Sequence, residues 1–378
     1  IETDDFDATV IHVAVTKDIE TKEVRSFRDA RDFNTYVNSN PSYYIMHNGL
    51  SFDAPILNKL WKSGIKVSNC IDTLLLSRLF NPVREGGHSL EAWGLRFGSN
   101  KIHFQNFETY SEEMLEYCKQ DVNITDKLFS FLLEEGRDFS EESITLEHEV
   151  QHIINKQEKR GFNFDLRKAH LLLAELMERS NNIKEEITNK WLPIPKMVRE
   201  VTIRYTKDGR LSKVGLNSID NAMNTVRGNF SSIKYVPFNL SSRQQISDRL
   251  IRLGWKPTKF TEKGQAIVDE TVLSGVKIPE AKQIALYLTL EKRIAQIKAW
   301  IKASEKDTRV HGSVITCGAI TTRMTHNSPN MAQVPSTRKP YGEECRECWI
   351  PSSGNSLIGI DASGLELRML AHYMNDKD

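Results

Sequence analysis

Cysteine is scarce in this sequence, with five residues at positions 70, 118, 317, 345 and 348 of 378. An odd count without framework spacing excludes a disulfide-stapled secreted domain and suits a reducing compartment. Cys345 and Cys348 form a lone C-x-x-C with no second pair or histidine cluster nearby, so they read as packing residues rather than zinc ligands. No apolar run comes near the roughly 18 residues of a membrane-spanning helix, and no signal peptide is recognisable. A soluble, unexported protein with no membrane partner is the expectation. Excess charge of one sign is also lacking, because 51 Lys and Arg face 50 Asp and Glu. That balance leaves nucleic acid open as a partner, since only a binding groove need be basic. Proline and glycine, at 12 and 20 residues, are never dense enough for a disordered tract. There is no internal repeat, and the opening "IETDDFD" lacks an initiator methionine, which suggests that the chain starts inside a longer protein.

What is present is ordinary globular composition, 39% hydrophobic and 27% charged. The length exceeds what one core usually supports, so two or three domains are expected. Up to about residue 140 short strands alternate with helices. A β-rich run from Val10 to Val15 is followed by helical "DARDFNTYVNS", a buried strand "YYIM", and a helix from Ala54 to Ser63. Such alternation predicts an α/β layer with a mixed sheet. From about 141 long helices take over. In "DLRKAHLLLAELMERSNNIKEEITNKW" the residues Leu172, Leu176, Ile183, Ile187 and Trp191 fall on one face, with Asp165 as N-cap.

Pro193 and Pro195 end that helix, and "VTIRYTKDGRLSKV" carries a hairpin signal at Asp208-Gly209. Lys196, Arg199, Arg204, Lys207, Arg210 and Lys213 outweigh Glu200 and Asp208 there, which makes a basic arm or a merely solvated hairpin. Helices resume at Ser241 and again from Pro279 to Ala303, before strand-like "RVHGSVI" opens a last unit. In that unit Leu357, Ile358 and Ile360 read as an inner strand leading to Asp361, and Leu365 to Met374 has helix composition. Asp361 either points out of a sheet edge, where metals and substrates bind, or, like Ser363, caps the helix.

Three acids have the spacing of a two-metal nuclease. Glu2 stands at the start, Asp53 follows an aromatic in "HNGLSFDAPIL", and Asp121 lies four residues after Tyr117 in "YCKQDV". Positions i and i+4 of a helix share a face, so Tyr117 and Asp121 can reach one site. Phosphodiester hydrolysis by two divalent ions needs several carboxylates, since hard cations take oxygen ligands while keeping room for water and phosphate. A phenol beside them can orient the attacking water. The bland alternatives are that Asp53 caps its helix and that Tyr117 belongs to the core.

Taken in order, "IET", "NGLSFD" (Asn48 to Asp53) and "YCKQD" resemble the D-x-E, N-x-x-x-(F/Y)-D and Y-x-x-x-D motifs of the 3′ to 5′ proofreading exonuclease in family A DNA polymerases, a ribonuclease H-like fold. The stretches "CIDTLLLSRLF" and "HSLEAWGLRFG" are similar to those of the T-odd short-tailed phage type. The resemblance implies that Glu2, Asp53 and Asp121 bind metal, that Tyr117 positions the water, and that Asn48 contacts DNA. The family's first aspartate would stand immediately before Ile1.

The second half resembles the same family. "EHEVQHIINKQEKRGFNFD" is similar to the helix and turn leading into the polymerase domain, and "TTRMTHNSPNMAQVP" to a segment that lies along the primer-template. "GIDASGLELR" is similar to motif A of the palm. On this resemblance Asp361 binds both catalytic ions, the carbonyl of Ala362 helps hold one, and Glu366 is the steric gate against a ribose 2′-OH. Arg323, Gln333 and Arg338 become DNA contacts, or surface salt bridges on the bland alternative.

The implied organisation is an α/β exonuclease domain with a ribonuclease H-like mixed sheet at 1–140. A mainly helical polymerase lead-in and thumb follows at 141–305, with the basic hairpin insertion at about 194–238. The start of an α+β palm occupies 306–378. The implied function is that of a DNA-dependent DNA polymerase of phage replication with proofreading, in the cytoplasm of an infected bacterial host, using Mg²⁺ or Mn²⁺, two ions per site. Its partners would be primer-template DNA, single-stranded DNA and dNTP, with a processivity factor or a DNA-grazing thumb tip at the insertion. The fingers helix and second palm carboxylate lie beyond residue 378 on this reading, so the chain by itself is not expected to polymerise. A separate C-terminal polymerase half is a further partner if the gene is split. Two alternatives stay open, a non-catalytic DNA-binding half of such a split polymerase and a free-standing 3′ to 5′ exonuclease.

Overall fold

Apolar and polar residues alternate in "IHVAVTK", and this segment is the centre of the first sheet. The structure, a computed structural model, describes residues 1–4, 7–40, 42–202, 204–210 and 229–375. Strand β2 (Ile11–Lys17) pairs antiparallel with β1 (Glu2–Thr3) on one side and β3 (Val24–Phe27) on the other. Asp29 caps α1 (Ala30–Ser39) by accepting from the backbone N–H groups of Arg31 and Asp32, which satisfies two of the donors a helix start leaves free. Its Phe33 packs against Phe27 and Trp61, with ring centroids 5.4 and 5.3 Å apart.

Strand β4 (Tyr44–Met46) pairs in parallel with β5 (Cys70–Asp72). Parallel neighbours need a crossover, here α2 (Asp53–Ile56) continued by a wider π-type turn, Leu57–Trp61. The helix expected over Ala54 to Ser63 therefore starts one residue earlier and stops two earlier, because Lys62 turns left-handed at φ +54°. Both strand orientations are present, and the unit is a mixture of α and β. It continues with α3 (Thr73–Phe80), α4 (Leu90–Arg96), α5 (Glu112–Glu135), α6 (Glu141–Arg160) and β6 (Phe162–Asn163). Helix α5 buries Met114, Cys118, Ile124, Leu128 and Leu132, a stripe of helical spacing. Tyr117 and Asp121 sit at the edge of that stripe and are half-buried.

The first unit comprises Ile1–Phe164, Ala303–Val334 and Trp349–Asp378, and the second comprises Asp165–Lys302 and Pro335–Cys348. In the second, α7 (Leu166–Lys190) starts at the expected cap, with Asp165 accepting from Lys168 N–H at 2.9 Å. All five apolar residues expected on one face are buried. Trp191 closes the helix and meets Phe238 edge-on at 4.6 Å. A turn does form at Asp208-Gly209, where Thr206 N–H donates to the Arg210 carbonyl at 2.7 Å. The ladder itself joins β7 (Ile194–Val201) to β8 (Phe230–Val236), so the described strand partner of β7 lies well beyond the Asp208-Gly209 turn. Lys213, counted in the basic arm, lies outside the described residues. Cys345 and Cys348 are buried packing residues on the helix Gly342–Glu347 and its end, and all five cysteines are free.

On returning to the first unit, β9 (Arg309–Val310) pairs antiparallel with β6, and β10 (Ser313–Ile315) with β11 (Thr325–Asn327). The strand expected at Leu357, Ile358 and Ile360 does not form. These side chains are 56, 84 and 94% exposed, and no described strand pairs with them. An unpaired segment has nothing to satisfy its backbone donors and acceptors except water, so apolar composition alone does not make a strand. The helix Leu365–Met374 does form, with Gly364 at its N-cap in the left-handed region. Neither Asp361 nor Ser363 caps it.

Asp72 sets the course of the loop between β4 and α2. It is 3% exposed and accepts from the N–H groups of Asn48, Leu50 and Leu74 at 2.9, 3.1 and 3.0 Å. Its own N–H donates to His148 Nε2 at 2.9 Å. Asp72→Ala strands these buried donors and is expected to lower unfolding free energy by about 3 kcal/mol, whereas Asp72→Asn retains part of the set. Urea denaturation measures this, and a loss below about 1 kcal/mol for the alanine variant would show the clamp to be incidental.

Candidate active site

Four candidate side chains reach one place from three separate segments. Glu2 comes from β1, held by its pairing with Val13 of β2. Asp53 is the first residue of α2, and Tyr117 and Asp121 stand one turn apart on α5. All four line a single cavity of about 690 Å³, together with Ile1, His47, Phe52, Lys101 and Cys118. Phe52 occupies the N-cap of α2 and Asp53 makes no cap, its carboxylate accepting instead from the Ile1 α-amino group at 3.0 Å. Tyr117 has its ring against Phe104 and Phe107, at 5.7 and 5.8 Å, so it is core on one side and cavity wall on the other.

Crowding of like charge away from water governs the chemistry of this cavity. Burial, with added repulsion from Asp121 and Asp53, pushes Glu2 up to about 7 despite the nearby α-amino group and the Cys118 thiol. Burial likewise raises Asp121, while the Lys101 ammonium opposes it. Lys101 Nζ lies 2.9 Å from Asp121 Oδ2 and 4.7 Å from the centre of the Tyr117 ring. Burial raises Tyr117 as well, so the phenol keeps its proton at neutral pH and can align a water without acting as a base. Burial lowers His47 to about 4, which leaves its ring neutral there.

Asp121 Oδ1 is buried with no hydrogen-bond partner among the described residues. An orphaned carboxylate oxygen beside two further acids is a donor set that fits a hard, oxygen-preferring divalent cation. Among the described residues no three His, Cys, Asp or Glu side chains stand close enough to hold a metal between them as they are. In this form the Lys101 ammonium supplies countercharge to Asp121.

Asn48 is placed differently. It adopts φ +62° and gives its N–H to Asp72, while its carbonyl accepts from Ser51 and Phe52 at 3.3 and 3.1 Å. Its backbone therefore builds the turn that delivers Asp53, and it is not among the cavity-lining residues. Sequence reasoning missed Lys101, which sits in a loop with no motif around it. It also missed Asp72, although "CIDTLLL" carries the cap signal that Asp72 does fulfil toward Leu74.

The second set is more dispersed. Asp361 and Ala362 are exposed in the loop before the helix Leu365–Met374. Glu366, in the first turn of that helix, forms an ion pair with Arg323. Arg323 thus makes a surface salt bridge in this structure, with the other candidate as its partner. Gln333 ends a short 3₁₀ turn, Met331–Gln333, and Arg338 is an exposed residue of the second unit. No helix among the described residues is long and apolar enough to cross a membrane.

Comparison with known proteins places these features. Residues 212–378 match the family model described as DNA polymerase family A. The chain is 32% identical to the DNA-directed DNA polymerase of Escherichia phage T7, over 97% of its own length and 67% of that protein. The figures for Enterobacteria phage T3 are the same. Among solved structures, the POL domain of Pol1 from M. smegmatis in complex with DNA primer-template and dNTP superimposes with a TM-score of 0.67. That match has 16% identity and covers 98% of this chain and 60% of that one, so it speaks to the fold alone. The chain belongs to family A of the DNA polymerases, which are DNA-directed nucleotidyltransferases.

Proposed function

We propose that this chain carries the 3′ to 5′ exonuclease (1–140), the lead-in and thumb (141–305) and the motif A side of the palm (306–378) of a phage-type DNA-dependent DNA polymerase. The single observation that supports the exonuclease most directly is the meeting of Glu2, Asp53, Tyr117 and Asp121 in one cavity. In this reading the ribonuclease H-like layer is built from the β1 to β3 sheet and the β4–β5 pair. Single-stranded DNA, primer-template and dNTP are the substrates, and the β7–β8 hairpin lies along DNA or receives a processivity factor.

Glu2, Asp53 and Asp121 would hold Mg²⁺ or Mn²⁺ in the exonuclease, and Asp361 with the Ala362 carbonyl would do so in the palm. The bound ions supply Lewis-acid charge for an attacking oxygen and a leaving oxygen. The chain's own groups do the rest. Tyr117, protonated at neutral pH, accepts or donates one hydrogen bond to align the attacking water. Burial of Glu2 and Asp121 removes competing water, so their charge acts at low effective dielectric. Glu366, released from Arg323, would stand where the sugar of an incoming nucleotide packs, and Arg323 would then be free for a phosphate.

Primer extension and single-strand degradation by the full protein with Mg²⁺ separate the two centres. Asp361→Ala is expected to lower extension at least ~100-fold while degradation persists, and Asp53→Ala or Asp121→Ala to do the reverse. Extension that survives in Asp361→Ala would sink the palm assignment.

The Glu2 carboxyl provides a test of the site without metal. Its pKa rises from 4.5 unfolded to about 7 folded, so between those values the folded state binds a proton that the unfolded state lacks. This contribution to stability is fully present below 4.5 and is lost as pH rises through 7. In EDTA, urea midpoints are expected to fall across that window in the wild type and to fall less in Glu2→Gln. Parallel curves for the two proteins would mean that the carboxyl is not desolvated.

A further inference from the structure

The loop that delivers Asp53 is held from two sides. Asp72 takes its N–H groups, as described above, and α6 takes its carbonyl side. Asn155 Nδ2 donates to the Leu50 carbonyl at 2.8 Å, and Ser51 Oγ donates to Asn155 Oδ1 at 3.1 Å. One turn earlier on the same face of α6, Gln151 Nε2 donates to Asn155 Oδ1 at 2.8 Å. Gln151 Oε1 in turn accepts from Thr316 Oγ1 at 2.6 Å, and Thr316 is fully buried.

The chain of bonds runs in one direction, from the Thr316 hydroxyl through two amides to the Leu50 carbonyl. Asn155 Oδ1 accepts from both Ser51 and Gln151 while its nitrogen serves the Leu50 carbonyl, so reversing this amide would set oxygen against the carbonyl and nitrogen against the Gln151 nitrogen, breaking two bonds at once. Thr316 directly follows β10, where the loop of the β10–β11 hairpin begins. The tip of that hairpin is closed by Ala319 N–H to the Arg323 carbonyl at 3.0 Å. Arg323 is the residue expected to touch the duplex. Every member of the path lies within the first unit.

We propose that Gln151 and Asn155 are positioning residues that couple the β10–β11 hairpin to the Asp53 loop, so that duplex DNA seated at the hairpin changes the order of residues 48–53. The inference rests on the exonuclease and palm readings above. Neither residue reaches the carboxylates, and both act through the backbone of Leu50 and the side chain of Ser51. The coupling is carried by a contiguous hydrogen-bonded path whose two ends, Thr316 and Leu50, are buried.

The test is amide hydrogen exchange of residues 48–53 in the full protein, with and without a primer-template duplex, in wild type, Thr316→Val, Thr316→Ser and Gln151→Leu. Single-strand degradation is followed in parallel. Duplex is expected to change exchange in this segment of the wild type about fivefold or more. Thr316→Val and Gln151→Leu remove the response, and Thr316→Ser, which keeps the hydroxyl, restores it. A response in Thr316→Val equal to that of the wild type overturns the proposal, as does a wild type that degrades single strands with no response to duplex. If the wild type degrades nothing and the segment still follows Thr316, the coupling stands and the exonuclease reading falls.

Discussion

A buried carboxylate that is not paired with a cation must be solvated by the backbone, and Asp72 imposes that requirement on the first unit. Its oxygens take N–H groups from Asn48, Leu50 and Leu74. The end of β4, the turn after it and the start of α3 are thereby fixed to one point. Asn48 accepts a left-handed backbone to reach it. Asp53 is then delivered to the cavity by a short, hydrogen-bonded path of five residues, where a floppy loop would place it only part of the time.

The same economy of partners explains the electrostatics opposite. Three acids from three segments share one cavity, and Glu2 and Asp121 are raised first by burial and then by repulsion from neighbouring acids. Lys101 offsets part of the crowded charge at 2.9 Å from Asp121, yet one oxygen of Asp121 has no hydrogen-bond partner among the described residues. A folded protein rarely leaves a buried carboxylate oxygen unsatisfied unless function uses it. The strain in this cavity is therefore of the kind expected where a reaction needs concentrated negative charge, and it is tolerated because the Asp72 clamp and the α5 stripe hold the walls.

The motif A side lacks such enclosure. Asp361 and Ala362 lie in an exposed loop and Glu366 is turned to Arg323. What supports their role is the family to which the chain belongs and the pattern of residue types, and the local geometry adds only that no capping duty competes for Asp361. In the cavity of Glu2, Asp53, Tyr117 and Asp121 the reverse holds, since there the geometry itself gathers the residues.

Local chemistry was legible in the sequence by itself. Caps such as Asp165, the buried stripe of α7 and the shared face of Tyr117 and Asp121 follow from helical periodicity, which depends only on neighbours a few residues away. The resemblance of the acid-bearing motifs and of the stretches around Arg323 and Asp361 pointed to the family, which the relatives bear out. Only the tertiary structure decided that Leu357, Ile358 and Ile360 are exposed rather than a strand, because a strand exists through a partner that no local pattern encodes. It alone placed Lys101 against Asp121 and tied Thr316 to the Asp53 loop through Gln151 and Asn155. Those contacts join residues 20, 105 and 165 positions apart in the numbering, and their energies depend on distance and burial, quantities that arise only when the chain has closed on itself.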